Sequence, residues 1–486
     1  MFAGLDFGTS NCSIGIINND NEPVLVPLED GETRLSSCIF LEHGVIKPEV
    51  VSEYELSKRV RAEKASQSQR INSGDKSSNQ RVLSDDELVN IVRKQLRKEN
   101  REDAKTSQKS QSVMEALQSN SEVIFGKEAE LAHMSDPENG FYIKSPKSFL
   151  GANISEVQQA VFSTVVEKML AFIKQETEYV KGIELEQVVI GRPVNFHGLQ
   201  GDDGNVQALQ IMNEAAKKVG FKEVEFLMEP VAAAYDYERQ LRDDRVVLIL
   251  DLGGGTTDCS MIKLGPSHVN LESRENCILS YSGKRLGGID LDNKLALMTI
   301  MPHFGKHALL TNGLPVPITL FSQAVNINDV RAQQEFSSHR TGSELARFCM
   351  MTKDKRLQRL KQLRERKLGL RLNQSAEMAK IHLSANDNID LPLHFIEDSL
   401  FVPISRDELG AAISDELRQF ELLISESLRQ AGTRPDTIFV TGGTAISPVI
   451  QTWINSIFPD VEVVIGNHFG SVTSGLVTHA QRVFRG

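Results

Sequence analysis

The sequence predicts an α/β protein of two similar lobes, and three observations lead there. The first is residues 246–262, VVLILDLGGGTTDCSMI. A short apolar run of the kind found in strands covered on both faces ends in an acid, turns through Gly and Thr, and runs on as a second apolar strand. The second is a shorter twin at residues 4–17, GLDFGTSNCSIGII. There Asp6-Phe7-Gly8-Thr9-Ser10-Asn11-Cys12-Ser13 repeats Asp251-Leu252-Gly253 and Thr256-Thr257-Asp258-Cys259-Ser260, the later copy having two extra glycines. The third is the alternation of short apolar runs with longer segments of helical spacing along the rest of the chain. Glycines let backbone N–H groups approach an anion closely, and a strand–turn–strand unit is not a P-loop, whose turn leads into a helix. Two acid-tipped hairpins therefore suggest two lobes that grip one polyphosphate from opposite sides.

In chain order, residues 2–8 and 13–17 read as paired strands, with further strands at 24–28 and 38–41 and a turn at Asp30-Gly31. Residues 61–121 shift to Ser, Gln, Asn, Lys and Arg, the composition of a mobile surface insertion. Within it residues 84–100 spell a helix: Ser84 and Glu87 form a capping box, and Leu88, Ile91, Val92 and Leu96 share a face. Helical spacing returns at 123–134 and 156–179. A strand at 187–191 stops at Arg192-Pro193, 197–205 is a Gly/Asp loop, 206–219 a helix, 225–228 a strand and 231–237 a small-residue helix. Beyond the central hairpin, 283–294 leads into a helix, and 299–376 is a second long, irregular insertion. Its basic stretch 353–367 has Leu357, Leu360 and Leu363 at helical spacing, and reads as a charged amphipathic helix in preference to a site for nucleic acid or a partner helix. A helix at 375–384, a strand at 389–395, a long helix at 407–431, a strand at 437–440, and helix, strand and helix at 449–458, 461–465 and 472–484 follow.

A net charge of −11 weighs against general nucleic-acid or anionic-membrane binding. No run approaches the ~20 apolar residues of a membrane span, and Asp6 and Gly8 interrupt the start where a signal peptide would be apolar. Five widely spaced cysteines form neither a disulfide framework nor a CxxC metal pattern, and read as reduced thiols in the cytoplasm.

The motifs DFGTSN at Asp6, SPKSFLG at Ser145, GRPVNF at Gly191, MEPVAAAYDY at Met228, DLGGGTTD at Asp251, RLGGIDLDN at Arg285, AEMAKIHLS at Ala376 and TGGT at Thr441 resemble, in order, the nucleotide-binding domain of the seventy-kilodalton heat-shock (DnaK-type) chaperones. The insertions look most like those of the bacterial YegD group. The resemblance implies an actin-like ATPase fold: duplicated ribonuclease-H-like domains with helical insertions, and nucleotide between the lobes. The lobes would be residues 1–241 and 242–466, with 467–486 returning to the first. It implies ATP or ADP with Mg²⁺ as the bound species. Asp6, Asp251 and Glu229 would hold the metal through water, and Lys147 would stabilise the transferring phosphoryl group, with Lys144 a rival if the loop register shifts. Thr256 would lie near the terminal phosphate. Gly8, Thr9, Ser10, Gly253, Gly254 and Gly255, with the turn at Gly287, Gly288 and Asp290, would line the phosphates. Glu377, Lys380 and Ser384, and Gly442, Gly443 and Thr444, would contact the nucleoside.

Two departures stand out. Where the family packs adenine between arginines, this chain has Ile381 and Ile446, which implies an apolar slot and weaker affinity. Where the family has Asn-Pro-Asp-Glu, this chain has Asn467-His468-Phe469-Gly470, which removes an acid associated with a monovalent cation. The family's peptide-binding β-sandwich and lid find no counterpart among these 486 residues. The expectation is a slow Mg²⁺-dependent ATPase acting as a chaperone-like switch on an unidentified protein partner or co-chaperone, without nucleic acid or membrane. The alternatives are a nucleotide-binding scaffold with little hydrolysis, a small-molecule kinase of the actin–hexokinase superfamily, and an actin-like polymer.

Overall fold

The computed structural model describes residues 1–42, 56–64, 84, 87–89, 91–93, 95–96, 109–118, 123–135, 140–152, 154–196, 201–269, 271, 274–466 and 470–485. It is a mixed α/β structure with two large sheets. In the first, β1 (Phe2–Phe7) and β2 (Asn11–Ile17) form an antiparallel hairpin, and β3 (Pro23–Leu25) and β4 (Leu35–Ser36) both pair with β2. A separate three-stranded sheet holds β5 (Cys38–Glu42) between β6 (Val123–Phe125) and β7 (Gly140–Lys144). The first sheet then adds β8 (Gln187–Arg192) and β9 (Glu223–Met228) in parallel. The second large sheet repeats the pattern. Its hairpin is β10 (Arg245–Leu252) and β11 (Thr257–Leu264), with β12 (Ile278–Lys284) antiparallel outside it. A two-stranded ribbon, β13 (Asn388–Pro392) and β14 (Phe401–Ser405), stands apart. The parallel members β15 (Thr437–Thr441) and β16 (Glu462–Ile465) complete the second large sheet.

The helix Glu156–Lys181 covers one side of the first sheet. Ser155 and Gln158 cap its start reciprocally, and Gly182 ends it at φ 63°. Val161, Val165, Val166, Met169, Leu170 and Ile173 are its buried stripe. Two helices, Glu229–Glu238 and Ser471–Arg485, fill the space between the two large sheets. Val231, Ala232, Ala233, Ala234, Leu476 and Val477 share one core with Phe2 and Val189 of the first sheet and Val247, Ile249 and Phe439 of the second. The fit is tight enough to require glycine: a Cβ on Gly475 would lie 1.7 Å from the Ala232 carbonyl oxygen, and one on Gly4 2.4 Å from the Val477 nitrogen.

Several expectations change. The helix Lys109–Gln118 buries Val113, Ala116 and Leu117 in the first sheet's core, so that part of the 61–121 tract is not a surface insertion; three apolar residues were hidden among Ser and Gln. Of the helix expected at 84–100, residues 87–89, 91–93 and 95–96 are helical behind the Ser84–Glu87 cap (Ser84 N–H to Glu87 Oε2, 2.9 Å); Leu88, Val92 and Leu96 are buried, the last two beside Leu56 and Val60, but Ile91, expected on the same face, is exposed. The remainder lies outside the described residues.

Residues 299–376 are not irregular. Helices Ile318–Val325, Val330–Ser337, His339–Met351 and Leu357–Glu365 pack Phe321, Phe336, Leu345 and Leu360 into the same core as Leu248 and Leu250. Leu357–Glu365 is the amphipathic helix expected within 353–367; the three helices before it carry too few apolar positions to show a clear period in sequence. The basic stretch is an internal staple: Arg364 donates to the Phe336, Ser337 and Ser338 carbonyls, Arg359 pairs with Glu397 at 2.6 Å, and its three leucines are buried. The helix expected at 407–431 breaks at Ile413 into Arg406–Ala412 and Ser414–Ala431. The loop expected at 197–205 is helical from Gly201, the strand expected at 24–28 stops at Leu25, and β14 went unanticipated. Among the described residues, no helix is long and apolar enough to cross a membrane.

Candidate nucleotide and metal site

The two sequence twins meet. A Cβ on Gly254 would lie 1.9 Å from Ser10 Oγ, and one on Gly255 2.5 Å from Thr9 Cγ2, so the tips of the β1–β2 and β10–β11 hairpins abut. Gly253 N–H closes the second tip onto the Thr256 carbonyl at 3.0 Å. Asp6 is near the end of β1, paired in register with Ser13, and Asp251 is near the end of β10, opposite Asp258 and beside Thr441 of β15.

Lys147 and Glu229 are brought to these acids by different devices. Lys147 lies on a single 3₁₀ turn, Pro146–Phe149, entered through Ser145 in the left-handed region at φ 56°. Such a conformation is uncommon for a non-glycine residue. Glu229 is the first residue of the helix that leaves β9, with Pro230 fixing the first turn. The two side chains are buried and form a direct ion pair. Burial pulls the Lys147 ammonium down, but the carboxylates of Glu229 and Asp6 outweigh it and hold the lysine above its usual range. Lys144 lies elsewhere, 3.5 Å from Glu377.

The acids carry the larger perturbation. Burial, then repulsion from Glu229, pushes Asp6 up to about 7 against the pull of Lys147. Asp251 is raised well above the normal carboxyl range by burial and by Glu229, Asp258 and Asp6. Asp258, which accepts the Val194 N–H at 2.9 Å and leaves Oδ2 unpartnered, is pushed up to about 8 by burial and Glu229. Arg192, the other nearby cation, is turned to the Pro193 and Val194 carbonyls. Carboxyls in excess of cations in a buried space fit a bound divalent cation. Among the described residues no three His, Cys, Asp or Glu side chains are arranged to ligate a metal directly. Asp258 was missed as a site residue. Its signal was the second acid of DLGGGTTD, which its twin replaces with Asn11.

The remaining expected residues fall into two groups. Gly287 and Gly288 lie against the second hairpin tip: a Cβ on Gly287 would meet Gly254 and Gly255 backbone at 2.7 Å, and one on Gly288 would be 2.9 Å from Thr444 Oγ1 and 3.3 Å from Lys380 Nζ. Gly442, at φ 86°, sits with its would-be Cβ 2.9 Å from Asp251 Oδ1 and leads into the turn Gly443–Ile446. These converge. Asp290 instead serves its turn, accepting the Gly287 N–H at 2.8 Å and the Asn328 amide at 3.2 Å. Lys380 is engaged by Asp292 at 2.8 Å and the Gly288 carbonyl at 3.1 Å, and Ser384 bonds back to the Lys380 carbonyl. Ile381 and Ile446 are exposed, at 61% and 37%. Residues 467–469, where the family's acid is replaced, lie outside the described residues.

Glycine turns from two matching sheets, a buried lysine–glutamate pair and a surplus of acids thus lie together at the hairpin tips. Residues 153–359 match the family model described as Hsp70 protein. The chain is 24% identical over 392 residues to the chaperone protein dnaK of Emiliania huxleyi, across 71% of this chain and 52% of that one. The chain thus spans about half the length of the curated relative it matches. Both similarities are to a family of chaperone-type ATPases, and the mixed α/β architecture is consistent with that family's fold.

Proposed function

We propose that this chain is a Mg²⁺-dependent ATPase of DnaK-type construction, resembling the YegD group, in which ATP binding and hydrolysis switch the relation of two duplicated lobes. The lobes are residues 1–241 and 242–466, with 467–486 returning to the first. The observation that carries the reading is the meeting of the Lys147–Glu229 pair with Asp6 and Asp251 at the abutting hairpin tips.

On this reading the glycine N–H groups of both tips, with Thr9, Ser10 and Thr256, receive the phosphates. Mg²⁺, when bound, supplies charge neutralisation at the phosphate oxygens. Asp6, Asp251 and Glu229 hold its waters. The Lys147 ammonium, kept charged by its carboxylate neighbours, stabilises charge on the transferring phosphoryl group, and Glu229 orients the attacking water. Glu377, Lys380, Ser384, Gly442, Gly443 and Thr444 form the nucleoside floor, with Ile381 and Ile446 as an apolar slot for the base. A protein partner reads the lobe movement, and five free thiols suit a reducing cytoplasm.

Steady-state phosphate release by the wild type and Lys147→Ala tests the proposal. The variant is expected to lose at least a hundredfold in rate; equal rates would remove hydrolysis and leave a nucleotide-binding scaffold.

A further inference from the structure

Among the described residues, two ion pairs have both side chains less than one-tenth exposed: Lys147–Glu229 and Arg274–Glu238. They sit at opposite ends of one helix. Glu229 is its first residue and Glu238 its last. Arg274 comes from the connection between β11 and β12 of the second large sheet, and its grip is bidentate: Nη1 to Glu238 Oε2 and Nη2 to Oε1, each 2.6 Å. Glu238 Oε1 also accepts the Gly265 N–H at 2.9 Å, so both ends of that connection are tied to one carboxylate. The guanidinium lies 4.4 Å from the ring centre of Tyr235, one turn back on the same helix.

A carboxylate in the last turn of a helix opposes the helix dipole, so Glu238 does not serve the helix itself. It serves the attachment. The start of the helix belongs to the first sheet, because it continues β9 and Glu229 packs against Gly191 of β8. Its end is held by the second sheet. Ten residues span roughly 15 Å at ~1.5 Å per residue, short enough to move as a rigid rod.

We propose that Arg274 is a positioning residue for Glu229. By fixing the far end of the Glu229–Glu238 helix to the second sheet, it delivers any shift between the two sheets to the carboxylate that pairs with Lys147. The proposal rests on Lys147 and Glu229 being the hydrolytic pair, and it adds the route by which lobe movement reaches them.

The test compares wild type, Arg274→Lys and the double variant Glu238→Gln/Arg274→Met in the full chain. The double variant removes both charges together and keeps an acceptor for Gly265, so no buried charge is left alone. Two quantities are read: kcat and KM for ATP by phosphate release, and hydrogen exchange of the helix amides with and without Mg·ATP. The expected result is a double variant that melts like wild type, has KM for ATP within twofold and kcat down tenfold or more, and loses the nucleotide-dependent protection of the Val231 and Ala232 amides. Arg274→Lys recovers part of kcat. Unchanged kcat and protection overturn the proposal, as does a double variant that fails to fold or changes only in melting, since either marks a purely structural clamp. If wild type releases phosphate no faster than Lys147→Ala, the hydrolysis reading falls instead. The exchange arm alone then decides whether Arg274 couples the sheets to the Val231 and Ala232 amides.

Discussion

Asp258 shows what a buried acid does before any cation arrives. Its carboxyl is held at about 8, so near neutral pH it is mostly protonated in the folded chain and ionised in the unfolded one. Stability from such a group is complete below the unfolded value, declines as pH rises, and is lost through about 8, at about 1.4 kcal/mol per pH unit for one proton. Asp258→Asn imitates the protonated form and keeps an acceptor for Val194. The stability advantage of ligand-free Asp258→Asn over wild type should therefore widen as pH rises from about 6 toward 8 and level off above it, read from urea melts across that range. A second residue-scale expectation concerns the base slot. Restoring charge in Ile381→Arg/Ile446→Arg should tighten ATP binding, by the ~0.5–2 kcal/mol of a cation–π contact, about two- to thirtyfold in titration calorimetry. No change would mean the base does not lie between these positions. The convergence of Lys147, Asp6 and Asp251 was legible from short motifs, Asp6 and Asp251 two residues before a glycine and Lys147 four before Gly151. Asp258 was passed over although DLGGGTTD carries it as a second acid, because its perturbation comes from burial among other carboxyls, which spacing alone does not reveal.

At the scale of elements, the helices Glu229–Glu238 and Ser471–Arg485 touch where Gly475 faces the Ala232 carbonyl. A single methyl there has no flexible neighbour to displace. Gly475→Ala should therefore cost more than about 2 kcal/mol in a denaturant melt, a larger effect than overpacking a soft core site usually gives. Hairpins, long amphipathic helices and buried strands were legible from period and turn residues. The pieces that were not share a cause. Lys109–Gln118 and the three helices between 318 and 351 are short and held by tertiary contacts such as the Arg364 staple, which reaches Val330–Ser337 from the one helix of that region the leucine spacing did show. The break at Ile413 lies within one continuous amphipathic stretch, where Ile413 itself is buried and only its backbone departs from the helix.

At the scale of the whole molecule, the two large sheets were legible as a matching pair because the hairpin motif occurs twice, and their strand orders repeat in the same way. Its thiols report on compactness. Cys12 and Cys38 are buried with burial pushing each thiol up to about 12, Cys259 and Cys277 are buried too, and Cys349 is half-buried. A native chain should react promptly with a thiol reagent at about one site, Cys349, and at all five after denaturation; fast reaction at several sites would contradict the packing described.

The shared layer between the sheets also sets a schedule for synthesis. Ser13 on β2 bonds to Thr473 at 2.6 Å across a separation of 460 residues, and β1 has the helix Ser471–Arg485 as its cover. At ~5–20 residues per second, the first strands leave the ribosome on the order of half a minute to a minute and a half before that cover exists. During that interval their apolar face is open to other nascent chains. A protein built this way is expected to depend on holding factors while it is being made, whatever it later does for others.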